Sequence, residues 1–493
     1  MPKYIPPRIS SDLMKTFVWQ GLKKTENPKK IIIVGAGIAG LVSASLLKEA
    51  GHHVTILEAN NRVGGRIFTF RSSDDRTYLD LGAMRIPSTH DLVFEYVKKF
   101  GLNVNPFINR TPTDLIYVNG IKTNLNHYEN NPSILHYPLT QNEQGKTSEE
   151  LLSLATSPII NFINRNPRKN WPIIIREFRH YSTADFLRFY QYKNGTTFSS
   201  GAVEKMGVLL DLEGLFEKSL VETLRYLMIF QESTQFYEIT GGNDLLPRAF
   251  LPQLQEDIYL SQKMVKMVQQ PDQVTIYCRH EETLEYSQIT GDIAIITIPF
   301  PTLRFVKVEP YHAFSHYKWK AIRELLYMPA TKIGIKFKSR FWEKEGQKGG
   351  KSITDLPNRF TYYPSHGIGT EGPAMILASY TFGSDAKLWD GLHEEDRIRN
   401  VLEDLCILHG NQVYSEFLSG ISWSWDLNPY SLGAFPMFTT EQELNLYPHI
   451  TKPEGRVYFA GAQTTLTHGW IQGAIESGIQ VAFEVNDLPK DVS

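Results

Sequence analysis

Residues 29 to 40 read Lys29-Lys30-Ile31-Ile32-Ile33-Val34-Gly35-Ala36-Gly37-Ile38-Ala39-Gly40. A helix-like run follows, then His53-Val54-Thr55-Ile56-Leu57-Glu58-Ala59 and Asn61-Arg62-Val63-Gly64-Gly65-Arg66. Ile31 to Val34 suits a strand buried on both faces. Gly35, Gly37 and Gly40 fall at GxGxxG spacing. The first permits a tight turn, the second lets backbone approach a pyrophosphate, and the third lets the next helix pack closely on the strand. The free N–H groups and positive dipole end of that helix favour phosphate. The second strand, Val54 to Leu57, ends in Glu58, an acid placed to accept from ribose hydroxyls and to repel a 2′-phosphate. The stretch reads as a dinucleotide-binding βαβ unit. The competing reading is a glycine-rich turn without a ligand.

The rest of the chain bounds what this unit belongs to. At 493 residues two or three domains are expected. The composition, 42% hydrophobic and 21% charged, is globular. A formal net charge of −2 gives no reason to expect nucleic acid or an anionic membrane as partner. The two cysteines, Cys278 and Cys406, form no CxxC, so the pattern shows neither a disulfide framework nor a zinc site. Both read as small core residues. No His/Cys/Asp cluster has metal spacing. The apolar run Ile31 to Leu47 is too short and glycine-rich for a membrane span. Residues 1 to 30 carry no apolar signal core. A cytoplasmic location is the default expectation, with non-standard export left open.

Residues 1–29, polar and proline-bearing, read as a surface arm. Thr77 to Gly82 suits a strand, and His90 to Phe100 a helix with Leu92, Val93, Tyr96, Val97 and Phe100 on one face. Asn119-Gly120 between Leu115–Val118 and Ile121–Leu125 signals a hairpin. Helical periodicity dominates from about 130 to 235, as in Glu149 to Leu154, Ser182 to Tyr192 and Gly201 to Leu210. Strands are expected at Thr275 to Cys278, Ile293 to Ile298, within Leu326 to Lys338 (Ile333, Ile335 and Phe337 alternating), and at Met375 to Tyr380. Glu394 to His409 reads as a helix. Arg456 to Gly461 suits a strand running into a glycine, and after His468-Gly469-Trp470 a helix continues to about Val485. His52-His53 reads as polar surface. No repeat of 20 to 50 residues is apparent.

Arg62-Val63-Gly64-Gly65-Arg66 goes beyond a nicotinamide site. Paired glycines let backbone pass a flat ligand, and the flanking arginines can neutralise a pyrophosphate. Together with GxGxxG and Phe459-Ala460-Gly461, the pattern resembles the FAD-dependent amine oxidase superfamily. Asp80-Leu81-Gly82-Ala83-Met84-Arg85-Ile86-Pro87, Gly350 to Pro357 and His468-Gly469-Trp470-Ile471 narrow the resemblance to L-amino-acid oxidases, including the snake-venom enzymes.

The resemblance implies an α/β fold with an FAD-binding Rossmann-like domain, a mixed-sheet substrate domain and a helical insertion. The expected segments are 30–72, 240–322 and 452–487 for FAD, 73–130 and 323–451 for substrate, 131–239 for the helical part and 1–29 for the arm. It implies that Ile38, Ala39, Glu58, Ala59, Gly65 and Arg66 hold the adenosine and pyrophosphate half. Gly82, Ala83, Met84 and Arg85 would pass along the isoalloxazine, with Met264 pairing adenine through its backbone. Gly461 and Ala462 would lie at the ribitol. Gly469, Trp470, Ile471, Gln472, Gly473 and Ala474 would place helix N–H groups at the pyrimidine end. Trp425, with Tyr430 and Gly433 behind it, would pack near the ring.

For the substrate, the resemblance implies Arg85 as carboxylate clamp, since guanidinium meets carboxylate through two parallel bonds. Tyr380 would also reach the carboxylate. Gly469 would accept from the amine, and Trp470, Phe230 and Phe435 would line the side-chain pocket. Lys332 would hold a water near flavin N5, although a lysine in an alternating strand reads equally as solvent-facing. Two positions depart from the family pattern. Tyr226, at the substrate site, stands where the snake-venom pattern has histidine, so a neutral-range base is missing there. Ala462 stands where an acid usually contacts the ribitol, a loss of roughly 1 kcal/mol of binding. His468 is a candidate supporting residue.

The expected activity is oxidative deamination of L-amino acids, large apolar or aromatic ones, with dioxygen as acceptor, to 2-oxo acid, ammonia and hydrogen peroxide. A homodimer is an open expectation. Alternatives are a flavin monoamine or polyamine oxidase, an amino-acid 2-monooxygenase, or a low-turnover FAD-binding interaction protein.

Overall fold

A computed structural model describes residues 9–73, 77–190, 197–231 and 233–489. The opening stretch forms the centre of a five-stranded parallel sheet. Its order is Ile258–Tyr259, His53–Leu57, Lys30–Val34, Ile293–Ile296, Val457–Phe459. Strands distant in sequence meet in register, Ile31 opposite Ile293 and Ile295 opposite Tyr458. The unbroken apolar run of Ile31–Val34 has a simple cause. Ile31 and Ile33 pack into a core with the helices Ile38–Ala50 and Ile471–Asn486, while Ile32 and Val34 pack into a second core on the other face. That second face is covered by a four-stranded sheet ordered Tyr286–Gly291, Val274–His280, Gln262–Gln269, Lys307–Glu309.

A seven-stranded mixed sheet stands beside it. Its order is Phe417–Ser424, Ala330–Phe337, Ala374–Phe382, Phe360–Tyr362, Lys351–Thr354, Leu115–Val118, Ile121–Asn124. The hairpin turn is as expected, with Asn119 at φ 55° and Gly120 at φ 74°. Ala330–Phe337 differs from the expected alternation: all eight residues are buried. Ile333, Ile335 and Phe337 pack on the helix Glu394–His409. On the other face Ser72, Asp80 and Gly82 lie over Lys332 and Lys336, whose ammonium groups donate to Asp80 O, Gly82 O and Ser72 Oγ. Lys332 is therefore an inward-facing lysine, 1% exposed.

The region from 148 to 229 is helical, as its periodicity indicates, and has its own apolar core. Its helix Thr183–Phe189 ends before Tyr192, which lies outside the described residues. The N-terminal segment is docked on the rest of the protein where described. Ser11–Gln20 is a helix, capped by the Ser10 side chain, that buries Met14 and Val18. Phe17 stacks on Phe483 and Trp19 donates to Glu95. Residues 1–8 of that segment lie outside the described residues. His52 is likewise not surface: it is buried, with Nδ1 accepting from Lys29 N and Nε2 beside Asn486 Oδ1. Cys278 is buried and Cys406 half-buried, and neither is in a disulfide. Among the described residues no helix is long and apolar enough to cross a membrane. The whole is a mixed α/β fold with a helical insertion.

Candidate active site

One continuous cavity runs from the parallel sheet to the junction of the mixed sheet with the helical region. Its void is about 2140 Å³ including the part open to solvent, far more than a single amino acid fills.

At the sheet end the walls are backbone. Gly35 has φ +109°, a conformation L side chains rarely adopt. A Cβ on Gly37 would meet nothing within 4 Å and would stand in the cavity itself. A Cβ on Gly40 would lie 2.0 Å from Gly35 O, so this glycine serves helix-to-turn packing and does not line the cavity. The loop Arg62–Arg66 is tied across this turn, with Gly64 N donating to Ala36 O at 2.9 Å. Glu58 is buried and accepts from Ala36 N at 2.7 Å and Asn60 N at 2.8 Å. Burial raises its pKa, against the opposing pull of those amides. Ile38, Ala39, Ala59 and Gly65 line this end, and Met264 enters from the neighbouring sheet.

The two loop arginines separate. Arg62 turns back onto Val63 O and Gly65 O and over the Phe68 ring. Arg66 donates to Ala434 O at 2.9 Å, packs against Tyr327, and meets no carboxylate among the described residues. An open glycine cradle, helix N–H groups and a cation with only neutral partners fit a pyrophosphate, so the residues present suit a dinucleotide.

In the middle lie Gly82, Ala83, Met84, Trp425, Gly461 and Ala462. A Cβ on Gly82 would fall 2.1 Å from Arg66 O. Trp425 Nε1 donates to Leu81 O at 2.9 Å, tying the mixed sheet to this segment. The start of the helix Ile471–Asn486 closes the wall with Gly469, Trp470, Ile471 and Ala474. Gln472 and Gly473 do not line the cavity. The Gln472 side chain instead accepts from Leu92 N and Val93 N and donates to Asp91 and Glu476, so any contact from it to a cofactor would be through its backbone.

At the far end Arg85, Tyr226, Lys332 and Tyr380 line one region. Arg85 Nη1 donates to Asn109 Oδ1 at 2.6 Å and Tyr362 OH at 3.2 Å, with its guanidinium 4.9 Å from the Phe230 ring centroid. It has no carboxylate partner within salt-bridge distance among the described residues. Burial raises the pKa of the Tyr226 and Tyr380 phenols against the opposing Arg85 charge, so both stay protonated at neutral pH. Lys332 Nζ sits 2.6 Å from Gly82 O and 4.5 Å from the Tyr380 ring centroid. Burial lowers its pKa, with the Asp80 charge opposing. Burial raises that of Asp80, whose carboxylate accepts from Thr69 Oγ1 and Asn243 N.

Asn109, Tyr362 and Glu222 were not singled out in the sequence. Asn109 lies in a loop without a motif, and Tyr362 and Glu222 read as ordinary strand and helix residues. Among the described residues no group of His, Cys, Asp and Glu could hold a metal ion.

Comparison with known proteins gives the relationship. The description "Flavin containing amine oxidoreductase" matches residues 38–486. The chain is 57% identical over 483 residues to "Putative L-amino-acid oxidase YobN" of Bacillus subtilis (strain 168), covering 98% of this chain and 99% of that protein. It is 36% identical over 469 residues to the "L-amino-acid oxidase" of Vipera ammodytes ammodytes, covering 94% of each. In fold it is similar to cyclohexylamine oxidase from Brevibacterium oxydans IH-35A, with TM-score 0.74 at 18% identity over 93% of this chain and 99% of that one. The chain belongs to the family of flavin-containing amine oxidoreductases, and its cofactor is FAD.

Proposed function

We propose that this protein oxidatively deaminates L-α-amino acids with large apolar or aromatic side chains, giving the 2-oxo acid, ammonia and hydrogen peroxide. The observation that carries this reading is Arg85: a half-buried cation at the far end of the cavity, without a carboxylate partner among the described residues and framed by neutral acceptors and rings. A fixed guanidinium of this kind is matched by a substrate carboxylate through paired hydrogen bonds. In this reading 30–72, 240–322 and 452–487 hold FAD, 73–130 and 323–451 hold the substrate, and 131–239 cover its end of the cavity.

FAD, when bound, supplies the hydride acceptor for the substrate Cα–H and is reoxidised by dioxygen. The protein's residues do the positioning. Arg66 and the Gly35–Gly40 turn hold the phosphates, and Glu58 the ribose. Arg85 clamps the carboxylate, and the Tyr380 hydroxyl donates to it. The Gly469 carbonyl accepts from the amine and fixes which face of Cα is presented. Phe435 and Trp470 line the cavity and exclude water around the side chain, while Phe230 does not line it and packs 5.9 Å from the Trp470 ring. Lys332, held by two carbonyls, orients a water beside the reacting centre.

Peroxide release and anaerobic flavin bleaching across the twenty amino acids test the reading, with Arg85→Ala alongside. Product analysis separates 2-oxo acid from the amide a monooxygenase would yield. Unchanged kcat/KM in Arg85→Ala would remove the clamp assignment.

A further inference from the structure

His468 immediately precedes the cavity-lining Gly469 and Trp470, and it lines the cavity too, as does Glu222. Their side chains are 1% and 3% exposed, and His468 Nδ1 lies 2.9 Å from Glu222 Oε1. His468 Nε2 is buried and has no hydrogen-bond partner among the described residues. Burial alone would raise the Glu222 carboxyl, but His468, Arg225 and the Phe438 amide together hold it below its usual value. An ionised Glu222 keeps the proton on Nδ1. The Nε2 lone pair is then free to accept a proton.

The need for such a group is chemical. An amino acid reaches the site as an ammonium, and hydride can leave Cα only once the nitrogen lone pair is available. Tyr226, a half-buried residue whose phenol is kept protonated, does not accept that proton. Glu222 and Tyr226 stand one turn apart on the helix Leu220–Ile229, about 6 Å along its axis. The pair therefore borders the same end of the cavity as Arg85.

We propose that His468 Nε2, held by Glu222, is the proton acceptor for the substrate ammonium, directly or across one water. The N–H bond breaks, the proton passes to Nε2, and the nitrogen keeps its electron pair. The imidazolium is stabilised by Glu222 and later returns the proton to water. Glu222 is a positioning residue. The other charged groups packed around the pair are already engaged. Arg225 is forked onto Glu443 at 2.6 and 2.7 Å. Glu476 accepts from Thr465, Thr467 and Gln472. Phe438 contributes its ring, 4.8 Å from the imidazole centroid, and its amide, which donates to Glu222 Oε2 at 3.4 Å. Lys332 lies on the mixed sheet, where it donates to two carbonyls.

The proposal rests on the oxidase reading, and the test keeps the two apart. Anaerobic bleaching of the FAD-loaded enzyme by L-phenylalanine and L-leucine is followed from pH 5 to 9. In the wild type the rate falls on the acid side as Nε2 protonates. His468→Gln is expected to slow bleaching at pH 7 by roughly 10²-fold, displace that acid limb to higher pH, towards the titration of the free substrate amine, recover in part with added imidazole, and leave reoxidation by dioxygen unchanged. Glu222→Gln moves the limb to lower pH. Independently of turnover, the histidine carbon resonance lost in His468→Gln shifts its titration to lower pH in Glu222→Gln. Bleaching at the wild-type rate with an intact acid limb in His468→Gln overturns the proposal alone. Failure of all twenty amino acids to bleach the wild type overturns the oxidase reading and the proposal with it.

Discussion

The two ends of the cavity are built differently. The dinucleotide end is made of backbone from one short stretch: a turn at Gly35, an open face at Gly37, and Glu58 pinned by two amides. The far end, which we propose takes the substrate, is made of side chains that arrive separately at positions 85, 109, 226, 332, 362 and 380, four of them lining the cavity and two bracing Arg85. A backbone site needs particular residue types at fixed spacing, and so leaves a motif. A side-chain site needs only that the fold bring the right groups together, so the chain between them is free to vary.

The contrast makes unequal demands under mutation. The largest effect is expected at the substrate end. Arg85→Ala leaves Tyr362 and Asn109 without their cation and the substrate carboxylate unpaired, and kcat/KM should fall roughly 10²- to 10³-fold. Steady-state peroxide assays measure this, and FAD content should remain that of the wild type. A loss of FAD in the same variant would break the separation of the two ends.

His90 gives the next effect, on stability. Its ring packs edge-on against Trp470, and burial lowers its pKa to about 4. The folded protein binds this proton less readily than the unfolded chain. Stability from this group is therefore full above pH 6.5 and is lost as pH falls from 6.5 towards 4, by about 3 kcal/mol in all and about 2 by pH 5. Urea unfolding at pH 7 and pH 5 should show that loss in the wild type and much less of it in His90→Gln.

At the dinucleotide end, two glycines three residues apart should part company. Gly40→Ala pushes a Cβ to 2.0 Å from Gly35 O, and should destabilise the fold by about 1–3 kcal/mol. Gly37→Ala meets no protein atom, so the unfolding midpoint of the FAD-free protein should hold while FAD affinity drops roughly tenfold. Equal effects of the two in apo-protein unfolding would contradict the distinction between packing and cradling. The smallest effect is expected for Trp425→Phe, which loses the bond to Leu81 O and about 1 kcal/mol, seen as a lower melting temperature.

Sequence alone determined the βαβ unit, the hairpin at Asn119-Gly120 and the helix Glu394–His409, because local periodicity and turn chemistry decide such elements. It also placed Arg85 and Lys332 as candidates, through resemblance. Tertiary structure decided the rest. Lys332 is buried because the backbone of Asp80 to Gly82 lies over a strand face that an alternating pattern assigns to solvent. Ser11–Gln20 is a docked helix because its apolar side finds Phe483 some 460 residues away. Glu222 meets His468 across 246 residues. Periodicity reports which side of an element is covered, whereas what covers it depends on long-range packing that no local window contains.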